Sequence, residues 1–221
     1  MTKKFKTLVA LSFVAVLSGC ASHAQIEMPV VSTNGLSTFA DKTISYEVLY
    51  TQPTPGAFGS GGEKQDMKPV EQVRLSVASS RVLQKMAAYL QSQMPPTTKH
   101  VEKGQPSDMI LVVEMEAYDR RGPAYSDHQL AKSVAKGMLS LGLAPSDYKI
   151  IADFDVKYSL KQEGRELISK AYKINDSVKH QKGDFEKFST LDDYSAQMLE
   201  KHMVLTLNDF LKEAAKTVPA Q

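Results

Sequence analysis

The chain has 221 residues, a formal net charge of +2, one cysteine and no tryptophan. The basic surplus is local: Lys3, Lys4 and Lys6 fall in the first 19 residues with no acid among them, so the rest carries 24 bases against 25 acids. That balance leaves no electrostatic footprint for nucleic acid, the few aromatics count weakly against a carbohydrate platform, and about 200 residues suit one domain burying roughly 70% of its unfolded surface.

Behind the three lysines, Leu8 to Leu17 is an apolar run broken only by Ser12. Spanning a bilayer takes roughly 20 apolar residues at 1.5 Å each, and this run is about half that. A basic start, a short apolar stretch and small residues behind it match an export signal instead. The lone Cys20 sits at the end of that signal. A buried structural thiol, or ordinary cleavage after Ser22-His23-Ala24, is the plainer alternative.

Leu17-Ser18-Gly19-Cys20 resembles the lipobox of bacterial lipoproteins. The resemblance implies cleavage before Cys20, a diacylglyceryl group on its thiol and an acyl chain (palmitate) on the new α-amine. Each buried CH₂ contributes about 0.8 kcal/mol and two or more chains hold stably, so the expected membrane partner is reached through lipid. In such lipoproteins an Asp after the Cys favours the inner membrane. Ala21 and Ser22 follow here, which implies the outer membrane, facing the periplasm. The chain then divides into a signal peptide over 1–19, an acylated cysteine and tether over 20–41, and a single domain over 42–217.

Within the domain, Ile44, Tyr46, Val48 and Tyr50 alternate with polar residues and predict a strand. Residues 53–68, rich in Gly and Pro, predict a loop. Pro69 and Glu71 suit a helix start, and Leu75, Val82, Met86 and Leu90 predict one helix running to Met94. Val73, Leu75 and Val77 also alternate, which leaves a short strand and a helix start near Ser79 as the alternative. Met109 to Tyr118 predicts a strand whose doubly apolar Met109–Val113 run suggests cover on both faces. Ser126-Asp127-His128-Gln129 reads as a capping box opening a helix to Gly142. Tyr148 to Leu160 alternates most cleanly, with Ile150, Phe154, Val156 and Tyr158 on its apolar face and Lys149, Asp153, Asp155 and Lys157 opposite. Gln162 to Arg165 supplies a turn and Leu167 to Ile174 the return arm. Residues 175–189 look loop-like. A helix from about Thr190 to Lys216 then carries a wide stripe: Leu199, Met203, Leu207, Phe210 and Ala214, broadened by Tyr194, Met198 and Leu205. The fold class is α+β, with about four mostly antiparallel strands, a late hairpin and two or three helices.

Lipobox, early strand–helix–strand, late hairpin over 148–174 and closing helix together resemble small periplasm-facing envelope lipoproteins. These include the curli-secretion type, the lipopolysaccharide-transport type and the auxiliary lipoproteins of lipid-handling transporters. The long membrane-crossing hairpins of the first are not visible in this sequence. The resemblance implies a non-enzymatic binding or assembly module with an envelope protein as partner.

No catalytic set emerges from the residues. Ser133-Val134-Ala135-Lys136 matches S-x-x-K but lacks the companion motifs of a serine acylase. The Gly-rich stretch before Lys64 is no Walker loop. The histidines His23, His100, His128, His180 and His202 are scattered and form no metal-ligand pair. Asp153 and Asp155 are the polar face of a strand. No metal and no cofactor beyond the lipid on Cys20 is expected. The remaining candidate is a docking face on the helix after Ser126, made of Leu130, Val134, Met138 and Leu141, with Lys132 and Lys136 beside it. A tethered hydrolase and a carrier of lipid or another apolar ligand are the rival readings.

Overall fold

A computed structural model describes residues 23–30, 36–54, 63, 65–130, 133, 146–183 and 185–218. In chain order the elements are β1 (Thr43–Thr51), β2 (Lys68–Pro69), α1 (Val77–Gln93), β3 (Lys99–Val101), β4 (Met109–Ala117), β5 (Ala124–His128), β6 (Ser146–Gln162), β7 (Arg165–Lys182) and α2 (Ser189–Thr217). This is an α+β fold, but among the described residues its sheet has seven strands rather than about four. The four long strands are the expected ones, ordered β1, β4, β6, β7. β1 and β4 run parallel, and the other two pairs are antiparallel. The three additions are short. β2 and β3 sit on the outer edge of β1.

β5 lies on the edge of β6 that β4 also uses. Ala117 faces Phe154, and Ala124 faces Ala152. β5 therefore continues β4 after an excursion over residues 118–123. Backbone bonds from Tyr118 N–H to Asp153 O, and from Asp153 N–H to Pro123 O, close that excursion. Here the sequence reading is corrected: Ser126 to His128 belong to a strand, not to a helix cap. Ser and Asp favour caps and turns locally, but five ladder positions against β6 outweigh that preference.

The β6–β7 hairpin is the longest feature. Its alternating face buries Ile150, Ala152, Phe154, Val156, Tyr158 and Leu160. The turn has Glu163 at φ 50° and Gly164 at φ 77°, the left-handed pair of a type I′ turn that matches strand twist. β7 continues to Lys182, so residues 175–182 are strand rather than loop.

α1 begins at Val77, not at Pro69. Lys68 and Pro69 pair with Tyr50 and Leu49 as β2, and the chain reaches Ser76 in extended conformation after one 3-10 turn. The Ser76 hydroxyl accepts from Ser79 N–H at 3.2 Å, a side-chain cap that Pro69 cannot provide. Buried Ala78, Val82, Met86 and Leu90 form the stripe facing inward.

Both helices lie on one sheet face. α2 packs on β5, β6 and β7 and also against α1, which is why its apolar band is wide. Tyr158 marks the centre: its ring stacks on Phe210 at 5.4 Å and its hydroxyl meets Thr206 Oγ1 at 2.9 Å. Leu205, expected to broaden the band, points outward and is 44% exposed.

No helix among the described residues covers the other face, contrary to the expectation from Met109–Val113. Val112 is buried there and Ile110 half-buried. Ion pairs Lys103–Glu47 at 2.7 Å and Lys157–Glu114 at 3.2 Å lie on that side, and the long lysine stems can shield apolar surface. Ala24 and Phe39, from the stretch read as tether, are both buried in the core.

Candidate functional site

Because the chain is extended from Val73 to Ser76, it does not close onto β1 as a helix would. It leaves an apolar groove of about 430 Å³ between β1, this segment and α1. Tyr46 and Val48, two positions apart on β1, share a face. Val70, Val73 and Leu75 form one wall, and Leu83 and Ala87 the other, while Glu71, Ser80 and Gln84 add polar groups. The Tyr46 hydroxyl is buried without a hydrogen-bond partner, and burial pushes its pKa above the ordinary tyrosine value. A buried unpaired hydroxyl costs roughly 1–3 kcal/mol. The groove is thus mainly apolar, with its polar groups on Glu71, Ser80 and Gln84, and the Tyr46 hydroxyl is closed off from it. The signal for it in the sequence is the Val73, Leu75, Val77 alternation, two members of which line the groove.

A second arrangement joins residues remote in sequence. Ala24 N–H donates to His180 Nδ1 at 3.1 Å. His180 Nε2 lies 2.9 Å from Glu186 Oε1, and His23 Nδ1 lies 3.7 Å from Glu186 Oε2. The scattered histidines therefore converge in part, and residue spacing carried no sign of it. These three side chains offer ligand atoms within 4.8 Å of one another, close enough for a metal, but the hydrogen bonding argues against one. An amide N–H can only donate, which makes His180 Nδ1 an acceptor and places the proton of the neutral ring on Nε2. The nitrogen facing Glu186 then carries hydrogen and has no lone pair for a metal. Burial holds the His180 pKa below its ordinary value, opposed by the charge of Glu186. The cluster acts as a clamp, fastening the N-terminal segment to the end of β7.

Of the expected docking face, Leu130 is described and is 63% exposed. Val134, Met138 and Leu141 lie outside the described residues, as do Lys132, Lys136 and Cys20. Ser133 is half-buried, its Oγ accepts from Asp147 N–H at 3.0 Å, and it lines none of the cavities described.

A further cavity of about 310 Å³ lies beside Arg121, Tyr125 and the starts of α1 and α2. Its guanidinium is already committed. Nε and Nη2 each donate to Asp119 at 2.9 Å, and Nη1 donates to Asp127 at 3.0 Å and to Ser126 O at 3.1 Å. The Tyr125 ring centroid is 3.9 Å away. The hydrogen bond from Arg121 holds the Asp119 carboxyl below the usual range despite partial burial. Asp153 and Asp155 are also occupied, by Asn175 Nδ2 at 3.4 Å and by Tyr118 Oη at 2.6 Å.

No protein-family model matches the chain, and no curated protein matches it. Solved structures do. A Helicobacter pylori protein described as a neuraminyllactose-binding hemagglutinin homologue aligns at 6% identity and TM-score 0.44, over 88% of this chain and 97% of that one. A Xanthomonas campestris protein of the DUF330 family aligns at 9% identity and TM-score 0.35, over 86% and 99%. The rare lipoprotein B of Shewanella oneidensis aligns at 10% identity and TM-score 0.32, over 79% and 95%.

Proposed function

We propose that the chain is a non-enzymatic lipoprotein of the outer membrane, held through acylated Cys20, facing the periplasm and serving as a binding module of an envelope complex. The groove between β1 and α1 is its binding site and takes an apolar ligand segment. The observation that carries this reading is the groove itself: about 430 Å³, within the range of small-ligand sites, mostly apolar and with few polar groups to orient an occupant. Glu71, Ser80 and Gln84 are the polar side chains in its lining that would orient an occupant.

The anchor rests on Leu17-Ser18-Gly19-Cys20 behind the basic and apolar start. No helix among the described residues is long and apolar enough to cross a membrane. The non-enzymatic part is supported by the fate of Ser133, whose Oγ accepts from the Asp147 amide, and of Asp153, Asp155 and Arg121, each tied to a neighbour.

Titration with an apolar fluorescent dye such as N-phenyl-1-naphthylamine tests the groove. Saturable binding to the whole protein is expected, with at least tenfold weaker binding for Val73→Asp. Val73 is half-buried on an extended segment rather than in the core, so this variant should keep its melting temperature within a few degrees. Undiminished dye binding by the variant would refute the groove.

A further inference from the structure

The described chain starts at His23, against the end of β7, with its ring centroid 5.7 Å from that of His180. Cys20 stands three residues earlier, and three extended residues reach about 10 Å. That span ties whatever Cys20 carries to within about 10 Å of His23. Three other features meet at this end of the domain. β6 begins with Ser146 opposite Lys182, β5 ends with His128 near Tyr148, and the chain turns from β7 into α2.

This end shows apolar and basic groups to the outside. Phe185 is fully exposed and Phe188 is 68% exposed, with Leu130 at the end of the adjoining β5. Lys182 Nζ lies 4.5 Å from the Phe188 ring centroid, and Lys187 is exposed between the two phenylalanines. Lys149 and Lys179 are exposed and directly opposite in the ladder, about 10 Å in from the end, an unfavourable like-charge pair. Of the acids described nearby, Glu186 turns inward to His180, Asp127, opposite Lys149 in the β5–β6 ladder, holds Arg121, and Asp147 Oδ1 accepts from Gln181 Nε2 at 3.1 Å; Asp192, in the first turn of α2, is exposed.

Building on the lipid-anchored reading above, we propose that this end is a bilayer-docking surface. Phe185 and Phe188 enter the interfacial layer, where aromatic rings are favoured. Lys182, Lys187 and the Lys149–Lys179 pair meet lipid phosphates, which relieves the repulsion within that pair. The clamp on Ala24 shortens the free chain behind the lipid, so the lipid and the aromatic end reach the surface together. The β6–β7 hairpin then stands away from the membrane. Its β6 arm of 17 residues spans about 55 Å. Tyr46 and Val48 align through β4 with Leu160 and Tyr158, so the groove opens roughly 40 Å above the docking end.

Tryptophan is absent from the chain, so one introduced indole is a clean probe. The test uses the full lipidated protein reconstituted in vesicles of phosphatidylethanolamine and phosphatidylglycerol, with and without brominated acyl chains. Phe185→Trp should show blue-shifted emission that loses about half its intensity to brominated lipid, whereas Arg165→Trp at the hairpin turn should lose none. If the Phe185→Trp protein floats with the vesicles but its indole stays unquenched and red-emitting, the docking surface is refuted and the anchor stands. If the protein does not float, the anchor fails and the docking proposal fails with it.

Discussion

Replacing Phe154 by alanine probes the sheet face on which the fold is built. Phe154 is fully buried on β6, with Ala117 and Ile174 as its ladder neighbours. Truncating such a ring costs about 3–5 kcal/mol, a large share of a typical total of about 5–15 kcal/mol. At about 3 °C per kcal/mol for a domain of this size, a 4 kcal/mol loss lowers Tm by about 12 °C. Asp155, one residue on, faces the side that no described helix covers, where its carboxylate accepts from Tyr118 Oη at 2.6 Å. Asp155→Ala removes that bond and should cost about 1 kcal/mol, a Tm change near 3 °C. Calorimetry of the two variants beside the parent decides the matter. Equal losses, or the larger loss at Asp155, would mean that the register of β6 is wrong.

Acidification should loosen the N-terminal clamp. The His180 pKa is lowered by burial from an ordinary value near 6.5, so its contribution is complete above about pH 6.5 and is lost as pH falls through the lower folded value. The Tm should fall from pH 7 to pH 5 less steeply in His180→Gln than in the parent, with part of the slope remaining because burial also lowers His202; an unchanged slope would refute the assignment. Gly122→Ala should destabilise by about 1–3 kcal/mol, since φ is 112° and the new Cβ would lie 3.1 Å from Ser79 Oγ. Gly104→Ala, at φ 87° with nothing near its Cβ, should cost less in chemical denaturation, and the reverse order would contradict the packing of the 118–123 excursion on α1.

The legible parts of the sequence were those in which one chain segment both carries and satisfies its own pattern. β6 reads as a strand because one face is buried and the other is not, and Gly164 in its turn suits left-handed backbone. α2 reads as a helix because its apolar stripe outlasts several turns. Reading failed where the decisive partner is distant. Ser126 and Asp127 are good cap residues, and only the free edge of β6 makes them strand. Pro69 and Glu71 suit a helix start, yet pairing with β1 and the Ser76 cap push the start to Val77, and this shift opens the groove. Residues 175–182 look loop-like because their polar groups find partners far away in sequence: Asp176 meets Lys201 and His202 of α2, and His180 meets Ala24. The clamp joins His23, His180 and Glu186 across more than 150 residues, a proximity that no local spacing encodes.

Intact-mass and N-terminal peptide analysis of the protein from purified envelopes tests the central claim, the lipid anchor, most directly. The mature chain should begin at Cys20 and carry the added mass of a diacylglyceryl group and an amide-linked acyl chain, and Cys20→Ser should remain an unprocessed, unacylated precursor. A mature chain that begins after Ala24, or one that retains Cys20 with an unmodified thiol, would contradict it.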